Sequence, residues 1–256
     1  MYPLLHFHIA NIAQISISTY SLFACIGLFF FMLMLYVRVK EIDLSFQAYL
    51  ILVFCMVVGA GIGSKALFFL TKLPDVFSDF SFVNLTKTLI TSGFVFYGGL
   101  FGALAASKLF SHMFHIPFSQ LSIIIAPALP LFHAWGRIGC LFAGCCYGKV
   151  ATWGVVFQKD PNVLRIPIQL IESCCLLIIF FFLLYLDRKP QYRLSLMKVY
   201  LLSYAICRFI LEFFRGDEIR GIWFGLSTSQ WISLFILAWL IGSFCYNSTA
   251  KQDRPH

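Results

Sequence analysis

The stretch "SYAICRFILEFFRGDE" (203–218) carries four groups able to do chemistry: Tyr204, Arg208, Glu212 and Arg215. Spacings of 4, 4 and 3 place all four on one face of a helix. The intervening residues are apolar, so this polar stripe must face protein or a wet cavity. A second stretch, "GRIGCLFAGCCYG" (136–148), sets Arg137 among Gly136, Gly139, Gly144 and Gly148 directly after the apolar "IIIAPALPLFHAW". An arginine at the centre of a bilayer costs about 2.5–3.5 kcal/mol on insertion scales, so it persists where it meets water, an anion or a carboxylate, or snorkels to the interface. The planar guanidinium fork matches a phosphate, and glycines let backbone amides approach a ligand closely. Arg208 and Glu212 can neutralise one another. Adding Arg137 leaves net positive charge, which an anionic headgroup would satisfy.

Three further stretches can contribute. "FYGGLFGALAA" (96–106) places Tyr97 before Gly98, Gly99 and Gly102, a small-residue face that permits close helix packing. "GAGIGSK" (59–65) reads the same way. "RIPIQLIES" (165–173) supplies Arg165, Gln169 and Glu172, the last two one turn apart and able to brace a loop or the arginines.

The elements that hold these residues are read from composition. The chain is 60% hydrophobic and only 12% charged, against about 25% charged in soluble domains, so it is an integral membrane protein. A helical crossing takes roughly 20 apolar residues. Seven stretches qualify: 17–37, 46–70, 92–112, 120–142, 168–186, 197–214 and 228–246. They lack the alternation of a membrane barrel. The expected fold is an all-α membrane protein of seven transmembrane helices in one domain, 1–256, with a small outer head formed by the loops 71–91 and 143–167. Residues 1–15 lack the basic start and apolar centre of a cleavable signal and read as an amphipathic segment at one face.

Linkers after spans one, three and five, with the tail, carry nine Lys and Arg (Arg38, Lys40, Lys108, Arg188, Lys189, Arg193, Lys198, Lys251, Arg254). The other side has seven (Lys72, Lys87, Lys149, Lys159, Arg165, Arg215, Arg220), spread over longer loops. The positive-inside rule then puts the amino terminus outside and the carboxyl terminus in the cytoplasm. A formal net charge of +8 suits anionic lipid, and nothing suggests a nucleic-acid domain.

Of nine cysteines, Cys25, Cys55, Cys174, Cys175, Cys207 and Cys245 fall inside apolar spans, as small packing residues do. Cys140, Cys145 and Cys146 lack the paired C-x2-C spacing and histidine partners of a zinc site, so no metal and no cofactor is expected.

"GRIGCLFAGCCYG" resembles the signature G-R-(I/L)-G-N-F-x-N-x-E-x-(W/Y)-G of bacterial prolipoprotein diacylglyceryl transferases. "FYGGLFGA" resembles the family's H-G-G segment and "RIPIQLIES" its R-H-P-(S/T)-Q-L-Y-E segment. "YAICRFILEFFRGDE" and "LSTSQWISL" resemble its Y-x-x-x-R-F-x-(I/V)-E-F segment and its Q-x-(L/I)-S segment. The five occur in the family's order along nearly the whole chain. The resemblance implies a monomeric inner-membrane enzyme with seven helices. That enzyme moves the diacylglyceryl group of phosphatidylglycerol to the lipobox cysteine thiol of a preprolipoprotein, releasing glycerol phosphate. It implies Arg137 and Arg208 as the essential arginines, Tyr204 beside them and Tyr97 at the family's base position. Tyr20, Gly98, Gly99, Gly136, Gly139, Gly148, Gln169, Glu172, Glu212, Arg215 and Gln230 would line the substrate site. Three positions depart from the pattern: Tyr97 stands for the family histidine, Cys140 for an asparagine and Cys145 for a glutamate. Transfer to another acceptor, a lipid or anion transporter using the same arginines, and a thiol redox or metal protein are the competing readings.

Overall fold

The computed structural model describes residues 4–9, 13–78, 95–158, 160–217 and 222–252. Most of the 71–91 loop, with Lys87 and the "NLT" at 84–86, lies outside the described residues, as do Arg220, Arg254 and the start of the third expected span.

Seven long helices occur among the described residues: α1 (Thr19–Arg38), α2 (Phe46–Ser78), α3 (Phe96–Met113), α4 (Phe118–Ala143), α5 (Ile168–Asp187), α6 (Leu196–Glu212) and α7 (Thr228–Gln252). Four stretches are long and apolar enough to cross a membrane: Thr19–Ile42, Phe46–Thr71, Phe118–Ala143 and Ile168–Asp187. The chain is therefore a mostly helical, multi-pass membrane protein. It is not wholly helical. β1 (Leu4–Ile9) pairs with β2 (Ala13–Ser18), β3 (Val150–Phe157) with β4 (Asp160–Arg165), and β5 (Ile222–Trp223) with β6 (Leu226–Ser227), all antiparallel. The segment expected to lie as an amphipathic surface stretch thus forms a hairpin. α2 also runs on to Ser78, into what reads as loop in the sequence.

The chain forms two compact units, 36–122 and 1–35 with 123–256. In the first, α2 and α3 approach so closely that only glycine fits between them. A methyl on Gly59 would lie 2.6 Å from the Gly102 carbonyl oxygen, and one on Gly98 or Gly102 would collide with the carbonyl of Gly63 or Gly59. Gly99 faces the roomier Ala60 carbonyl at 3.5 Å. Ser64 Oγ donates to the Val95 carbonyl at 3.0 Å and pins the start of α3, where Tyr97 is buried and stacked near Phe101.

The second unit is organised around α4, the most buried of the four apolar stretches. On its α1 side Trp135 stacks with Phe23 and Phe30, and a methyl on Gly139 would lie 3.0 Å from Phe23 Cβ. On its other side Ser173 Oγ of α5 donates to the Ala134 carbonyl at 3.1 Å. Pro127 and Pro130 sit inside α4, removing two helical donors where neighbouring protein excludes lipid.

Backbone hydrogen bonds stitch three segments together at Gly148. Gly148 N donates to Ile166 O at 3.0 Å, Lys149 N to Phe214 O at 2.9 Å and Gly216 N to Tyr147 O at 3.0 Å. A methyl on Gly148 would lie 2.5 Å from Ile166 O, so glycine is required for the seam to close. This seam joins the end of α4, the start of α5 and the end of α6, the three places where the charged residues stand.

Candidate active site

Glu172 on α5 is the centre of the charged cluster, 1% exposed. Its Oε2 is 3.1 Å from Nε of Arg137 on α4 and 3.1 Å from Nη1 of Arg208 on α6. Arg208 Nη2 reaches Glu212 Oε2 at 2.7 Å and Ser229 Oγ at 3.4 Å. Arg215 Nη1 lies 3.5 Å from the same Glu212 oxygen, and its Nε and Nη2 grip Asp217 at 2.9 and 2.5 Å. Burial works against the Arg215 charge, but the Asp217 hydrogen bonds and the nearby anions outweigh it and raise its pKa above the usual arginine value.

The charge count differs from the sequence expectation. Arg137, Arg208 and Arg215 give +3, and Glu172, Glu212 and Asp217 give −3, so the surplus read from adding Arg137 to the Arg208 and Glu212 pair is absorbed. The reason is geometric: Glu172 comes from another helix, and Asp217 stands two residues after Arg215, where the chain has left the helix and helix spacing does not apply. A buried network of this kind holds together only as a set, because removing one member strands an unpaired charge.

The two main arginines are used differently. Arg208 spends both terminal nitrogens on protein. Arg137 spends only Nε, on Glu172 and on His133 Nε2 at 3.3 Å, so its Nη1 and Nη2 make no hydrogen bond among the described residues. One edge of its fork is anchored and the other is available.

His133 was missed as a site residue by the sequence reading, although it stands one turn before Arg137 on the same face of α4. Its Nε2 accepts from Arg137 and lies 3.9 Å from Glu172 Oε1, and its ring meets Tyr204 edge-on at 5.0 Å. A nitrogen that accepts a hydrogen bond carries no proton, which assigns the imidazole proton to Nδ1.

Among the other expected residues, Gln169 is fully buried and its Nε2 donates to the Cys145 carbonyl at 2.6 Å, holding the turn after α4. Gly139 and Gly148 serve close packing, while Gly136 faces open space. Tyr20, at the start of α1, is within electrostatic reach of Arg137 and the three cysteines. Gln230 closes the end of α7: its Oε1 accepts from Ser227 N at 2.9 Å while its own N–H donates to Ser227 Oγ at 3.2 Å. That reciprocal pair is a capping box, a helix-end device. Tyr97, Gly98 and Gly99 belong to the 36–122 unit described above.

The turn after Arg137 gathers Cys140, Cys145 and Cys146, whose sulfur atoms all lie within 4.8 Å of one another. Spacing in sequence did not foretell this. α4 ends in a Schellman motif: Cys145 N donates to Cys140 O at 3.2 Å and Gly144 N to Leu141 O at 3.2 Å, with Gly144 left-handed at φ 72°. This motif brings its second post-helix residue over the helix residue five earlier, here two cysteines. Cys146 is itself left-handed at φ 57°, a costly conformation for a residue with a side chain.

Fold and site define a multi-pass helical membrane protein with a buried arginine and carboxylate node beside a cysteine turn. The family model described as prolipoprotein diacylglyceryl transferase matches residues 8–246. A phosphatidylglycerol–prolipoprotein diacylglyceryl transferase of Clostridium tetani is 32% identical over 197 residues, covering 75% of this chain and 76% of the relative. One of Clostridium perfringens, the second so named there, is 34% identical over 204 residues, 77% of each chain. A third, of Wolbachia pipientis, is 28% identical over 247 residues, 93% of this chain and 92% of its own. The chain belongs to the prolipoprotein diacylglyceryl transferase family.

Proposed function

We propose that this protein transfers the diacylglyceryl group of phosphatidylglycerol to the lipobox cysteine thiol of a preprolipoprotein, forming a thioether and releasing glycerol phosphate. The observation that carries the proposal is Arg137, buried and anchored through Nε by Glu172, with two terminal nitrogens left over. The acceptor sulfur attacks the glyceryl carbon, the carbon–oxygen bond breaks, and a phosphodiester monoanion becomes a monoester dianion. Charge therefore grows on the phosphate oxygens as the bond breaks, and a fixed guanidinium edge aimed there stabilises the transition state more than the ground state. Arg208 holds Glu172 in place and adds to the positive field; Tyr204, over His133, completes the wall. Tyr97 and Tyr20 remain candidate contacts of the acceptor or lipid.

The surrounding architecture is inferred with it. All seven helices cross a bacterial inner membrane in a single integral domain that works as a monomer. The amino terminus lies outside, and the β3–β4 hairpin forms part of a small outer head. In support, α6 at 17 residues is near the lower limit of a crossing, and its Arg208 and Glu212 are buried against protein rather than facing lipid.

The test is direct. Purified protein in phosphatidylglycerol-containing vesicles is given a lipobox peptide, and mass spectrometry follows the diacylglyceryl adduct and free glycerol phosphate. Both are expected for the wild type. Arg137→Ala should lower transfer by about 100- to 1,000-fold while leaving a folded protein. Normal turnover in that variant, or no adduct in the wild type, overturns the reading.

A further inference from the structure

We propose that Cys140, Cys145 and Cys146 hold a zinc ion with three thiolates and an open fourth position, and that the acceptor thiol binds there to be activated. This rests on the transfer reading above and names how its nucleophile is made.

The geometry is that of a ready ligand set. Zinc–sulfur bonds of about 2.3 Å in a tetrahedron separate sulfurs by about 3.8 Å. The three sulfur atoms here already fall within 4.8 Å, so small rotations of side chains complete the site. The backbone is committed to that arrangement. The Schellman turn overlays Cys145 on Cys140, the left-handed strain at Cys146 is maintained, and Gln169 clamps the turn through the Cys145 carbonyl at 2.6 Å. Three protein ligands with a vacant fourth position are the mark of a catalytic rather than a structural zinc site. Access exists: Cys140 is buried, but Cys145 is exposed and Cys146 half-buried.

Charge agrees as well. Three thiolates around a divalent cation carry −1, and Arg137 and Arg215 both lie within electrostatic reach of Cys146. The same Arg137 that would hold the phosphate stands three residues before Cys140, on the same helix face. Leaving group and nucleophile would thus be presented side by side.

The family's own base position is also changed, and the one imidazole in the cluster, His133, is buried with its Nε2 already accepting from Arg137. Tyr97 occupies the position of the family histidine, and a phenol with an ordinary pKa near 10 takes up protons poorly at neutral pH. Zinc removes the need for a base, because a thiol that coordinates it gives up its proton on binding. The step balances as follows. The acceptor S–H loses its proton to solvent as sulfur binds zinc. The sulfur lone pair forms the bond to the glyceryl carbon, and the carbon–oxygen pair leaves with the phosphate. The neutral thioether, a poor zinc ligand, departs.

Metal content of the full-length detergent-solubilised chain is measured by elemental analysis. The zinc is then exchanged for cobalt, whose thiolate charge-transfer band reports its ligands in the wild type without relying on variants. Expected are one metal per chain, a spectral change when a lipobox Cys peptide is added but not its Ser counterpart, and loss of metal in Cys140→Ser, Cys145→Ser and Cys146→Ser. Transfer should fall at least about 100-fold on removing zinc and return on adding it. A wild type that binds neither metal, or a Cys140–Cys145 disulfide in its place, overturns the proposal. So does metal binding without a response to the Cys peptide. Full transfer by the metal-free protein overturns it too while leaving the diacylglyceryl reading intact. A peptide-dependent cobalt spectrum without product supports the zinc site and counts against the transfer reading instead.

Discussion

Arg137 and Arg208, from different helices, meet on one atom: each places a nitrogen 3.1 Å from Oε2 of Glu172. Two guanidiniums at a single carboxylate oxygen would repel each other without it. Glu172 is therefore the residue on which the cluster depends. Replacing it by Ala leaves two buried positive charges short of a partner, with an expected loss of about 3–5 kcal/mol of stability. Glu172→Gln keeps the shape and one acceptor oxygen and should lose less. Thermal midpoints of the detergent-solubilised variants check the order; equal midpoints for wild type and Glu172→Ala would show that the pairs contribute nothing.

The close contact of α2 and α3 makes a separate claim about the 36–122 unit. A methyl on Gly102 meets the Gly59 carbonyl and lies 3.0 Å from Gly63 Cα, whereas a methyl on Gly61 has nothing within 4 Å. Gly102→Ala should destabilise by about 1–3 kcal/mol, the usual cost of overpacking. Gly61→Ala, on the same helix as Gly59, should stay within about 0.5 kcal/mol of wild type. Matching midpoints for the two variants would remove the close packing as a source of stability.

Much of this molecule was legible in its sequence, and the limits are physical. Apolar runs locate helices well because lipid requires about 20 such residues whatever their neighbours do. The expected 120–142 and 168–186 became Phe118–Ala143 and Ile168–Asp187. Residues on one helix face, such as Arg208 and Glu212, can be paired from spacing alone. Partners on different helices cannot: Glu172 reads only as able to brace the arginines, and its place between Arg137 and Arg208 takes three dimensions, whereas His133, four residues before Arg137 on the same helix, was within reach of spacing. The cysteine cluster was hidden for another reason. Metal-site spacing rules assume loops, whereas here a left-handed Gly144 at a helix end folds Cys145 back onto Cys140.

Gln230 separates resemblance from geometry. Family position suggests a substrate contact, yet its Oε1 and N–H serve Ser227 in a capping box while its Nε2 donates to the Phe209 carbonyl at 3.5 Å. Gln230→Glu preserves that box, since glutamate fills the same role, while Gln230→Ala should cost about 1 kcal/mol. Glutamate cannot donate to the Phe209 carbonyl, so the expected result is a lowered thermal midpoint for both variants, with unchanged transfer per folded molecule in the glutamate variant. A selective loss of affinity for lipid in Gln230→Glu would restore the substrate role.

Asp217 decides how an anion enters a cluster whose charges already sum to zero. A phosphate oxygen can join Arg137 without displacing protein, but the field it meets includes three carboxylates. Glu172 and Glu212 are 1 and 2% exposed and sit on helices, so neither can withdraw without unmaking the node. Asp217 follows the end of α6 and grips Arg215 by two hydrogen bonds, at 2.9 and 2.5 Å. It is the carboxylate whose charge can be removed at least structural cost. Asp217→Asn keeps the shape, drops one negative charge and leaves the cluster at +1. The Michaelis constant for phosphatidylglycerol should then fall by roughly threefold to tenfold, the size of about 1 kcal/mol for a partly screened charge, with the turnover number little changed. Titrating the lipid in mixed vesicles at fixed peptide measures it. A rise in the constant would instead mean that Asp217 holds Arg215 in the geometry the phosphate needs, making it part of the anion site rather than a competitor for it.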